Sequence, residues 1–141
     1  MEAPGATVIV VDTNVVARLV IPGTGTPAVE QLRSRDATWI APALLRSEFR
    51  NVLVTSIRTG RIARQTALQA LRDADEVLGA GEPPVSPESV LDLAQRSGCT
   101  AYDCEFVSAA LALGVPLVTS DRQVLAAFPE TAVSPEAFVA H

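Results

Sequence analysis

Hydrophobic positions fall into short unbroken runs separated by longer stretches of helical spacing. Residues 7–11, Thr-Val-Ile-Val-Val, are β-branched and almost wholly apolar, which predicts a strand buried on both faces, as in a parallel sheet. Asp12-Thr13-Asn14 ends the run, and a helix is predicted over 15–20, stopped by Pro22-Gly23. A second short helix over 27–35 leads to a second strand at 38–40. Pro42 suits the first turn of a helix running to Gly60. Within it Leu45, Phe49, Val52, Leu53 and Ile57 recur at helical spacing. A helix over 65–78 carries Leu68, Leu71 and Leu78. After a loop at 79–84, Ser86-Pro87-Glu88 starts a helix to about residue 96. Residues 97–102 connect it to a helix that Asp103 is expected to cap and that ends near Gly114. A strand at 117–119, a helix from Asp121 to about residue 128 and a final turn capped by Ser134-Pro135-Glu136 complete the reading.

Strands alternating with helices predict a three-layer α/β/α sandwich with a mainly parallel central sheet. With 141 residues, 48% of them hydrophobic and 19% charged, the chain is expected to form one domain, 1–141, with a substantial core. The longest uncharged run, 106–120, is broken by Gly114 and Pro116 and is too short for a bilayer. The N-terminus has no basic region of a signal peptide. Cys99 and Cys104 lack metal-ligand spacing and read as small buried thiols in a reducing compartment. The expectation is a cytoplasmic protein without membrane contact.

Two counts exclude whole chemistries. The only histidine is His141, the last residue, and all eleven basic residues are arginine. A Ser-His-Asp triad or a histidine-ligated zinc site would need a histidine held inside a pocket. P-loop NTPases and Schiff-base enzymes need a lysine. The chemistry left rests on carboxylates, arginine, hydroxyls and backbone.

The net charge of −5 does not suggest a nucleic-acid binder, but its distribution does. Between residues 46 and 72 stand six arginines and one acid, Glu48, on an otherwise acidic chain. A basic strip beside carboxylates suits a polyanion, although a solvated helix face or a surface for an acidic partner would look the same.

In a parallel sheet, ligand sites gather at the carboxyl edge of the strands. Asp12 follows the first strand directly and Asp121 follows the last clear strand by two residues. Asp103 starts the helix that runs back before that strand, and Glu48 lies in the first turns of the helix after the second strand. Singly, the three aspartates read as helix caps and Glu48 as a solvated helix residue. Together they would repel one another, and no lysine or histidine is available to neutralise them. A hard divalent cation, Mg²⁺ or Mn²⁺, is the economical partner for such an all-oxygen set. Its common work is to hold a phosphate oxygen and acidify a bound water.

These residues resemble the PIN-domain ribonucleases, and within them the VapC-type toxins of bacterial toxin–antitoxin pairs. The resemblance rests on Val10-Val11-Asp12-Thr13-Asn14, on Ser47-Glu48-Phe49-Arg50-Asn51-Val52-Leu53, and on Tyr102-Asp103 followed by Ala109-Ala110-Leu111. Its last piece is Gly114-Val115-Pro116-Leu117-Val118-Thr119-Ser120-Asp121. It implies a metal-dependent endoribonuclease with Asp12, Glu48, Asp103 and Asp121 at the acidic positions and Thr13, Asn14, Asn51 and Thr119 supporting them. It also implies an RNA substrate, a homodimer and an antitoxin whose C-terminal segment covers the acidic pocket. Gln123 departs from the pattern, standing where many members carry a further Asp or Asn, and a neutral amide is a weaker ligand for a second metal.

Two further expectations concern surfaces. Some of Arg46, Arg50, Arg58, Arg61 and Arg64 are expected to hold RNA phosphates, with Arg46 and Arg50, which flank Glu48 in sequence, the first choices. The helices over 44–78 look more apolar than one contact face requires, which suggests a groove between them for an antitoxin helix. Competing classes are a phosphoryl-transfer domain, such as a haloacid-dehalogenase-like phosphatase, and a non-catalytic module of the same fold. The first would need an aspartate in place of Asn14 and a lysine; the second does not explain the complete acidic set.

Overall fold

In the computed structural model, which describes residues 7–35, 37–79 and 81–141, the first apolar run is a strand, β1 (Thr7–Val11). Its last three residues are fully buried, as a continuous β-branched run predicts for a strand covered on both faces. Asp12 ends β1 and caps α1 (Thr13–Val20) by accepting the backbone N–H of Thr13 at 2.8 Å. α2 (Pro27–Ser34), with Thr26 as its cap and proline in its first turn, leads to β2 (Ala37–Ile40). α3 (Leu44–Arg58) and α4 (Arg64–Val77) follow, then α5 (Pro87–Ser97), α6 (Ala101–Leu113) and β3 (Leu117–Val118). The chain continues through α7 (Arg122–Ala127), β4 (Ala132–Val133) and α8 (Pro135–Val139).

The sheet order is β2-β1-β3-β4, and every pairing is parallel. β1 is central, with Val10 opposite Ile40 on one side and Leu117 on the other. α1 packs with α2, α3 and α4, and α5 packs with α6, giving the expected three-layer α/β/α arrangement. The core is led by Ile9, Trp39, Leu45, Phe49 and Phe106.

Four readings of the sequence need correction. β4 was not foreseen: it has two residues, too few for any periodicity, and exists only because Leu117 and Val118 pair with Ala132 and Val133. The last segment is a five-residue helix rather than a turn. Asp103 does not cap α6. Thr100 does, accepting the N–H of Asp103 at 3.0 Å, so the helix starts earlier and Asp103 lies inside its first turn. The apolar surplus of the 44–78 helices is also smaller than their pattern suggests. Leu45, Phe49, Leu53 and Leu78 are buried, Ile57, Ile62, Leu68 and Leu71 are half-buried, and only Val52 is exposed. The C-terminal stop of α6 is as read: Gly114 takes the left-handed conformation, φ 66°, which glycine adopts without steric cost.

Among the described residues no helix is long and apolar enough to cross a membrane. Cys99 and Cys104 are both free and buried, as expected.

Candidate active site

Because all four strands run the same way, their carboxyl ends share one edge, and the loops there bring distant residues together. A cleft of about 570 Å³ opens at that edge. Asp12 at the junction of β1 and α1 and Thr13 and Asn14 from the first turn of α1 line it, with Ser47, Glu48 and Asn51 from α3, Asp103 from α6 and Asp121 from the start of α7. All four acids expected from the sequence thus reach one cavity. Of the supporting residues, Thr13, Asn14 and Asn51 line it directly, and Thr119 lies buried beneath it.

Hydrogen bonds fix the floor of the cleft. The Thr119 hydroxyl donates to Oδ2 of Asp12 at 2.7 Å and accepts the backbone N–H of Asp121 at 3.0 Å. The Asn14 side-chain amide donates to the same Asp12 oxygen at 3.3 Å, and its carbonyl accepts the Ser120 N–H at 3.1 Å. Thr13 donates its hydroxyl to Oε1 of Glu48 at 2.7 Å, tying α1 to α3. Asp121 accepts from the N–H groups of Gln123 and Val124, holding the first turn of α7. Among the described residues four polar side chains are buried, and three of them, Asp12, Thr13 and Thr119, belong to this network. Buried polar groups are otherwise rare in a core, so their concentration here marks the site.

The electrostatics are those of unbalanced negative charge. Burial pushes the Asp12 carboxyl up to about 6; hydrogen bonds from Thr119 and Thr13 oppose the rise, and the nearby Glu48 and Asp103 carboxylates add to it. The Asp103 carboxyl is also held above its ordinary value, mainly by burial and further by Asp121, against hydrogen bonds from Thr100. The four acids therefore form one electrostatic chain, and no arginine lines their cleft. Such a set calls for a cation, and its all-oxygen donors fit a hard divalent one. Among the described residues, however, no three acidic or thiol side chains stand close enough to enclose an ion alone. An ion held here would keep water in its coordination shell, as Mg²⁺ does where few carboxylates bind it.

Arg46 and Arg50 are not part of this cleft. Residues two apart on a helix point about 200° apart, so both turn away from the face that carries Glu48. Arg46 instead meets Asp75 at 3.3 Å and Glu82 at 3.7 Å. Arg18 and Arg61 line a groove of about 360 Å³ between α1 and α3. That groove adjoins the cleft, sharing Asn14 and Val52 with it. Arg61 belongs to the basic strip over 46–72 expected to hold phosphates, whereas Arg18 lies outside it and had no sequence signal. Gln123, at the departing position, turns its side-chain amide to the Gly98 carbonyl at 3.1 Å.

A parallel α/β sandwich whose carboxyl edge gathers four acids in an open cleft places its candidate site where ligands bind in such folds. The family model for the PIN domain matches residues 9–131, and the chain belongs to that family. Its fold is similar to PAE2754 from Pyrobaculum aerophilum, with a TM-score of 0.73 and 25% identity over 96% of both chains. It is also similar to a chain of a toxin–antitoxin complex from Klebsiella pneumoniae, with a TM-score of 0.65 and 19% identity over 90% of this chain and 97% of that one. A chain of VapBC2 from Rickettsia felis, solved bound to a DNA fragment from its promoter, has a TM-score of 0.65 and 14% identity over 91% of this chain and 98% of that one. No curated protein matches the chain by sequence.

Proposed function

We propose that this chain is an Mg²⁺- or Mn²⁺-dependent endoribonuclease, the toxin of a type II toxin–antitoxin pair. The observation that carries the nuclease reading is the convergence of Asp12, Glu48, Asp103 and Asp121 on one cleft with no cationic side chain lining it. Asp12, Asp103 and Asp121 would hold the divalent ion, with Glu48 beside them. When bound, that ion supplies charge neutralisation for the phosphodiester and acidification of a water. The chain's own residues do the rest. Thr119 and Asn14 fix the orientation of Asp12, the bonds from Thr119 and Thr13 favour its charged form, and Thr13 fixes Glu48 through their 2.7 Å bond. Glu48, half-buried and at the cleft surface, is positioned to accept a proton from the attacking water. Contacts to flanking phosphates fall to Arg18 and Arg61 in the adjoining groove, in place of Arg46 and Arg50.

The partner reading draws on similarity to chains solved in toxin–antitoxin complexes. The partner is an antitoxin protein encoded beside this chain, and the working unit is a homodimer in the cytoplasm. Purified protein is expected to cut RNA with Mg²⁺ or Mn²⁺ and to stop on chelation, and Asp12→Asn and Asp103→Asn to be inactive while folded. Full activity in either variant at saturating metal and substrate overturns the nuclease assignment. Expression is expected to arrest growth and co-expression of the neighbouring antitoxin to restore it. RNA cleavage without growth arrest or antitoxin rescue would point to an RNA-processing nuclease instead.

A further inference from the structure

We propose that Tyr102 is a stacking platform for a nucleobase of single-stranded RNA beside the acidic cleft, an inference that rests on the endoribonuclease reading above. Tyr102 is the second residue of α6, immediately before Asp103, and it lines the same cleft as Asp12, Glu48, Asp103 and Asp121. The residue is 63% exposed. Every other aromatic residue is covered: Trp39, Phe49, Phe106 and Phe128 are buried and Phe138 is half-buried. Among the described residues the fold therefore leaves one aromatic ring in solvent, at the rim of the site, and its hydroxyl takes no part in the hydrogen bonds of the floor.

The chemistry of the cleft explains what such a ring would do. Its polar residues are acids, which repel a phosphate, and small amides and hydroxyls, and none of them grips a base by its faces. The remaining apolar lining, Leu44 and Val52 on α3, cannot stack. A flat π-surface one residue from Asp103 is the group able to fix the rotation of the sugar–phosphate chain by holding its base. Stacking tolerates all four bases, because each presents a π-face. It demands that the base be free of a helix, so the ring selects unpaired segments over duplex RNA. Tyr102 is on this reading a substrate-binding residue. Its loss raises KM and lowers cleavage of single strands while leaving the acids in place.

The test uses the full chain in an Asp12→Asn background, so that RNA is bound without being cut. A short single-stranded RNA is compared with a set in which one abasic nucleotide is moved along it, by fluorescence anisotropy. One abasic position is expected to weaken binding about 10-fold when Tyr102 is present and to have no effect with Tyr102→Ala. In the cleavage-competent chain, Tyr102→Phe and Tyr102→Trp are expected to keep KM, and Tyr102→Leu and Tyr102→Ala to raise it. Equal sensitivity to abasic sites with and without the ring, in a chain that binds and cuts RNA, overturns the stacking proposal and leaves the nuclease reading intact. Failure of any form of the chain to bind or cut RNA removes both. If Tyr102→Ala weakens binding of the antitoxin while RNA affinity and the abasic profile stay unchanged, the ring belongs to a protein interface and the proposal is wrong.

Discussion

Thr119 and Asp12 lie 107 positions apart in sequence, yet the Thr119 hydroxyl donates to the Asp12 carboxylate at 2.7 Å in a buried contact. The same oxygen accepts the Asp121 N–H at 3.0 Å. One hydroxyl thus sets the positions of two acids, one at the end of β1 and one at the start of α7. Thr119→Val keeps the shape and removes both bonds. It is expected to destabilise the protein by about 1–3 kcal/mol, because a buried carboxylate and a backbone N–H lose their partner. The Asp12 carboxyl should titrate higher still, since this bond favours its charged form, and the acid limb of the activity–pH profile should move to higher pH. Thr119→Ser should restore both, as read by urea melts and pH–rate curves.

Asp12 ties stability to pH in an unusual direction for an acid. Its carboxyl titrates at about 6 in the fold against an ordinary value of 3.8. Between those values the folded chain holds a proton that the unfolded chain has released. The stabilisation this gives is complete below the unfolded value and is lost as pH rises through about 6. In chelator at pH above 7, Asp12→Asn should therefore be more stable than wild type, by as much as about 3 kcal/mol. At acidic pH, where both side chains are neutral, the difference should vanish. Chemical denaturation across the pH range checks it.

Divalent metal should act on the fold as well as on turnover. Mg²⁺ or Mn²⁺ is expected to raise the melting temperature of the wild type in a concentration-dependent way, and chelation to reverse it. Asp103→Asn should blunt the metal-induced shift while melting cooperatively without metal. Differential scanning fluorimetry over a metal titration measures both.

The arginines separate by position. Arg46 is engaged by Asp75 and Glu82, whose side chains are 68% and 50% exposed, so Arg46→Gln should cost under about 1 kcal/mol. Neither it nor Arg50→Gln should change the salt dependence of RNA binding. Arg18→Gln and Arg61→Gln, in the groove beside the cleft, should each reduce the slope of log affinity against log salt by about 0.7.

Much of this architecture is legible in the sequence because its signals are local. A β-branched run, prolines in first turns, glycines at helix ends and four acids placed by topology predict the sheet, most helices and the composition of the cleft. What was missed depends on three-dimensional context. Thr100 and Asp103 are both good capping residues, and only backbone geometry shows which one caps α6. Arg46 and Arg50 neighbour Glu48 along the chain but not around the helix. β4 has no pattern of its own and is defined by its partner β3. The exposure of Tyr102 cannot be read from residue type, since an aromatic at a helix start is equally suited to the core.

The sheet order has a consequence for how the protein is made. β1 is synthesised first, but its neighbour β3 lies more than a hundred residues later, and β3 carries the turn that holds Asp121 against Asp12. While the ribosome is still translating the middle of the message, Asp12 and Glu48 can meet, but the cleft has no far wall. Its assembly waits for the non-local pairing of β3 with β1, the kind of contact that forms slowly. On the proposed nuclease reading the chain is thereby inert throughout most of its own translation, and a chain cut short before residue 121 leaves a fragment without the fourth acid.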